Sequence, residues 1–132
     1  MIVRPLQIAS AGEGAQSAFR QRLLAHIAEF FPVHYHVAGR QQLLKLIERG
    51  QTRAEARKMG SERDIYLWVS LMLYLGSDFD TDPQFPAIQA ALAGNAPPPE
   101  RLDAAYDIAT AYLNQVAGPD GQNASAAATR FQ

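Results

Sequence analysis

The chain has 132 residues, 48% of them hydrophobic, a formal net charge of −1 and no cysteine. That is the size of one domain with apolar material for one core. The near-neutral charge argues against a nucleic-acid binder, and the missing cysteines remove disulfides, thiolate metal sites and cysteine nucleophiles together. No apolar run reaches the ~20 residues that cross a bilayer, and the opening residues lack the apolar core of a signal peptide. A cytoplasmic protein without membrane insertion is therefore expected.

Met1 to Ile8 reads as an extended arm, with Pro5 removing one backbone donor. The spacing of Phe19, Leu23, Ile27 and Phe30 predicts a first helix over Gln16–Phe31 that Pro32 stops. Leu43, Leu44 and Ile47 mark the inner face of a second helix over Ala38–Arg49, with Gly50 as its terminating residue. Thr52 and Glu55 are spaced as a capping box, which predicts a short helix ending at Gly60. Ser61 and Asp64 repeat that pattern before a helix over Glu62–Leu75 that Gly76 ends. This helix is apolar all round, from Ile65 and Trp68 to Leu73 and Leu75, so it is expected at the centre of a bundle. Asp82 and Pro83 have the residue types of a helix start. Pro97, Pro98 and Pro99 read as a stiff polyproline connector before a last helix over Glu100–Ala117. The expected fold is all-α: a single-domain bundle of five or six helices over residues 1–118, followed by a flexible tail over 119–132.

Few residues point to chemistry. Asp78, Asp80 and Asp82 alternate like the start of a calcium loop, but the sixth position is Pro83 and the twelfth is Gln89. They are read as a helix joint with a capping aspartate. His34 and His36 flank Tyr35 and share a metal only if that segment is extended; otherwise they belong to a turn. No serine stands in a nucleophile elbow and no glycine-rich phosphate loop is present. No cofactor or metal is expected. Arg53, Arg57, Lys58 and Arg63 form a modest basic cluster, either a solvated face or a patch for an acidic partner. Trp68 is read as a core residue, although tyrosines and Trp68 could equally serve a homodimer.

Several stretches together carry a resemblance. They are Ile2-Val3-Arg4-Pro5-Leu6-Gln7, Phe31-Pro32, and the spacing Leu43, Leu46, Ile47, Gly50. Ser61-Glu62-Arg63-Asp64-Ile65, Leu71 to Gly76 and Phe79-Asp80-Thr81-Asp82-Pro83-Gln84 complete it. In this order the chain resembles a group of small proteins of Gram-negative bacteria encoded beside type VI secretion effectors, spike-tip proteins and effector chaperones. The resemblance covers residues 1–118 and brings no catalytic residues with it. It implies a non-catalytic adaptor or co-chaperone that binds an effector, an effector chaperone or a spike-associated protein. The expected contact residues are Phe79, Asp80, Asp82, Pro83 and Phe85 in one joint and His34, Tyr35 and His36 in another, with the N-terminal arm as a further surface. Two rival readings stand beside it. One is an immunity protein that blocks a cytoplasmic toxin. The other is a small hydrolase or toxin built on the Asp78, Asp80 and Asp82 cluster or the His34 and His36 pair.

Overall fold

The computed structural model describes the backbone of residues 5–117 and the side chains of residues 14–116. Among the described residues there are five helices and no strand: α1 (Pro5–Phe30), α2 (Pro32–Ala56), α3 (Glu62–Leu75), α4 (Pro86–Leu92) and α5 (Pro98–Ala117). α1 packs on α2, α2 on α3, α3 on α5 and α4 on α5, so α3 lies between α2 and α5. The expected all-α bundle around a central apolar helix is what forms. The tail over 119–132 and the first four residues of the expected arm lie outside the described residues. The remainder of that arm, Pro5 to Ile8, is helical and opens α1.

α3 forms as its sequence predicts. Ser61 Oγ accepts the Asp64 amide at 3.0 Å, and Gly76 ends the helix at φ 108°. Nine of its 14 residues are buried, including Trp68, Val69, Leu71, Met72 and Leu73. Ser70 is satisfied within the helix, donating to the Tyr66 carbonyl at 2.9 Å. Side chains fully buried this way contribute roughly 1.5–3 kcal/mol each.

The second and third predicted helices are redrawn. α2 starts at Pro32, breaks at Gly39 (φ 81°, ψ 164°), and then continues through Gly50 and Thr52 to Ala56. Gly50 is therefore not a terminator. A Cβ there would lie 2.8 Å from Met72 Sδ and 2.9 Å from Val69 Cγ2, so the missing side chain lets α2 approach α3. Thr52 does not cap; its hydroxyl donates to the Glu48 carbonyl one turn back. The helix ends earlier than Gly60 as well. The Met59 amide reaches the Ala54 carbonyl and the Lys58 amide the Glu55 carbonyl, which is a Schellman closure. Lys58 takes the left-handed position at φ 63°, and Met59 drops into the core.

Proline redraws the other boundaries. Phe85 (φ −122°, ψ 60°) is pushed out of the helical region by Pro86, so α4 begins there and not at Pro83. Phe31 (φ −130°, ψ 57°) does the same before Pro32. Both phenylalanines are buried by these corners. Pro98 and Pro99 belong to the first turn of α5, where an amide would have no intrahelical acceptor, and the Glu100 and Arg101 amides close on the Pro97 carbonyl. The polyproline connector is absent for that reason.

Two glycine exchanges should therefore move stability in opposite directions. Gly50→Ala gains about 1 kcal/mol of helix propensity but overpacks stiff Val69 at roughly 1–3 kcal/mol. Urea unfolding should show a net loss, and pairing the exchange with Val69→Ala should give a smaller loss than the two exchanges added. Lys58→Gly should instead raise stability by about 1 kcal/mol, and the urea midpoint with it, because it relieves a left-handed side chain.

Candidate protein-binding surface

The two expected contact regions have different fates. The joint between α3 and α4 turns inward. Phe79 is fully buried, its ring 4.9 Å from that of Trp68. Phe85 is buried against Tyr112 at 5.5 Å. Neither presents a ring to a partner in this conformation, because the joint must close the end of α3 that Gly76 leaves open.

Asp78 and Asp80 flank Phe79 and lock the joint to α2. Arg49, Arg53 and Arg57 recur every fourth residue and so share one face of that helix. Arg53 donates to Asp80 at 2.9 Å and to the Ser77 carbonyl at 3.1 Å, and lies 2.9 Å from Asp78. Arg49 reaches Asp78 at 2.6 Å, and Arg57 stands 3.8 Å from Asp80 and 5.9 Å from the Trp68 ring. The two aspartates thus serve guanidinium groups. Asp82 lies apart from them: its carboxylate accepts the Gln84 amide at 2.9 Å and its carbonyl the Gln89 side chain at 2.7 Å. It forms a turn, and Pro83 beside it is exposed. Among the described residues, no group of three or more His, Asp or Glu side chains is placed to hold a metal.

The basic cluster read from sequence is also divided. Arg53 and Arg57 join the ladder with Arg49, whereas Arg63 reaches across to Asp103 on α5 at 2.7 Å.

The turn between α1 and α2 presents the opposite picture. His34 is buried, half-buried Tyr35 packs against the core, and His36 is exposed. Phe31 anchors this corner, with His34 at 5.7 Å and Tyr74 at 5.0 Å, both edge-on. Phe30, Val33 and Val37 stand outside it, 61%, 46% and 53% exposed. They are three of the four exposed large apolar side chains among the described residues. Beside them runs a groove of about 340 Å³, lined by Val37, Ala38, Leu43, Leu46 and Leu73 with His34 and Gln42.

The exposed trio was not legible as a surface. Phe30 falls near the apolar stripe of α1, but the stripe at strict four-residue spacing is Phe19, Leu23, Ile27 and Phe31, all buried. Phe30 is one residue off it. Val33 and Val37 are one turn apart on a helix that the sequence reading had not placed.

No family model, curated protein or solved structure matches the chain.

Burial holds the His34 imidazolium below its ordinary pKa, opposed by its hydrogen bond to the Leu73 backbone. The unfolded chain then binds a proton that the folded chain refuses. The stability from His34 is present above the unfolded value of 6.5 and is lost as pH falls from there towards the lower folded value. Between pH 8 and pH 5 the urea midpoint should drop further for the parent protein than for His34→Gln. At neutral pH, Asp80→Asn should lose roughly 2 kcal/mol by breaking a partly buried charged hydrogen bond. Asp82→Asn should change little, since asparagine forms the same turn. Equal losses at the two positions would contradict these assignments.

Proposed function

We propose that the chain is a non-catalytic protein-binding accessory factor, acting as an adaptor or co-chaperone in the loading of type VI secretion effectors. The observation that carries the binding reading is the pair of exposed valines Val33 and Val37, one turn apart on α2, with Val37 lining the apolar groove. Single exposed apolar residues are ordinary, but a contiguous group marks an interaction surface. The secretion setting rests on the sequence resemblance, from Ile2 through Gln84. Of the contact residues the sequence suggests, the corner around His34, Tyr35 and His36 is favoured. In the other joint Phe79, Asp80 and Phe85 are engaged with the fold itself.

The mode of action is stoichiometric. A helical body braced by the Arg53–Asp80 contact presents a preformed surface, so little ordering entropy opposes docking. Buried apolar contact would supply the affinity, with polar groups at the rim fixing orientation.

Affinity purification of the tagged protein from a host that carries type VI secretion should recover one effector, chaperone or spike-associated protein in near-equal amount. The double exchange Val33→Asp with Val37→Asp should remove that partner while circular dichroism and the melting temperature stay close to those of the parent, as expected for surface positions. Recovery of the chain alone would overturn the reading. Retention of the partner by the double variant would move the binding surface elsewhere.

A further inference from the structure

The chemistry around the groove narrows the class of partner. No aspartate or glutamate occurs from Phe30 to Ile47, whereas His34, His36, Arg40 and Lys45 do. The acids next along the chain from residues 30–47 and from Leu73 are turned to other tasks or other faces. Glu48 lies 3.7 Å from Arg20, and Asp78 is bridged by Arg49 and Arg53. Glu29 falls on the side of α1 opposite buried Ile27. Arg40 turns away towards Gln21 on α1. Lys45, by contrast, is exposed, one turn from Gln42 and next to Leu46, which both line the groove. It is in no ion pair among the described residues. The groove is thus apolar along its floor, with exposed Lys45 beside it.

The shape narrows the class further. The described residues contain no strand, so no sheet edge is offered for an added strand. The arginines that could read a phosphate or an acidic tail are held by Asp78 and Asp80. What remains is a furrow with an apolar floor between α2 and the end of α3, which suits side chains projecting from one face of a helix.

We infer that the groove between α2 and Leu73, with Val37 at its mouth, docks an amphipathic helix of a partner protein whose apolar face is flanked by Asp and Glu. This rests on the protein-binding reading above and names the partner's chemistry. Apolar residues one turn apart on the incoming helix enter the furrow over Leu43, Leu46 and Leu73. Carboxylates beside them meet Lys45. Attraction of this kind is weakened by salt, whereas the apolar contact is not.

The test uses the full chain and a displayed library of random 16-residue peptides. The expected winners have apolar residues at helical spacing with acidic flanks. A synthetic peptide of the winning sequence should bind at least tenfold more weakly to Val37→Asp and at least threefold more weakly to Lys45→Glu. It should bind equally to Lys58→Glu, a charge reversal away from the groove. Its affinity should fall between 50 mM and 500 mM salt. Winners that are basic or proline-rich, a library with no winners, or indifference to Lys45→Glu would overturn the inference. So would a self-associated protein that Val37→Asp converts to monomer, because a second copy would then be the occupant. Failure here is separable from failure of the broader reading. A host partner recovered in equal amount, whose binding ignores Lys45→Glu, removes the acidic helix alone, whereas no host partner removes both.

Discussion

A stretch of helix with no polar face must be covered on nearly every side, and α3 from Ile65 to Leu75 is such a stretch. Its neighbours are placed by the need to cover it. α2 comes closest because Gly50 has no side chain to hold the two helices apart. α5 packs on α3 as well, and Leu102, Ala105 and Ala109 are buried along it. Phe79 closes the end that Gly76 opens, by stacking on Trp68. If α2 stood farther off, the rows of Val69 and Met72 would lose their partner atoms, and dispersion falls steeply with such gaps.

The arginine ladder solves a second problem that the first creates. Covering the end of α3 requires a non-helical segment to fold inward, and such a segment carries backbone carbonyls and charged side chains with it. Asp80 is buried by that movement. An isolated carboxylate there would be costly, but Arg53 and Arg57 approach it from α2 and Arg53 also takes the Ser77 carbonyl. The ladder therefore makes the inward joint tolerable more than it adds stability of its own. It also spends the cationic groups that a sequence reader would assign to an acidic ligand.

The parts of this fold that sequence could reveal are those governed by local rules. The apolar run of α3, its Ser61 cap and its Gly76 stop need only neighbours within one or two turns. The parts that were not legible depend on distant residues. Gly50 looks like a terminator until Met72 and Val69 are known to lie against it. Lys58 has no local reason to turn left-handed, except that Met59 must reach the core. Thr52 and Glu55 satisfy the letter of a capping box inside a helix that tertiary contact keeps intact. The acidic joint was legible as a cluster, but its orientation depends on arginines more than 20 residues away, so surface and core could not be told apart. Phe30 was misread for a smaller reason. Two adjacent phenylalanines before a proline leave open which one completes the stripe, and Phe31 does.

That last ambiguity bears on function. Folding needs a buried ring at Phe31, wedged against His34 and Tyr74 and turned by Pro32. The Phe30 ring packs 4.4 Å from that of His26, whereas the fold needs nothing apolar at Val33 or Val37, which are exposed. Polar residues there would serve the fold as well and would be better solvated. The short helix that carries Val33 and Val37 is bounded by a proline at one end and by Gly39 at the other. At Gly39 the chain leaves the helical region with open space around it. The element is thus positioned by its inward side, through Phe31 and His34, and its outward side is free of structural duty. The core explains Phe79, Phe85 and the aspartates completely, but it does not explain this corner. Val33 and Val37 stay exposed on its outward side, and Val37 borders the apolar groove over Leu43, Leu46 and Leu73.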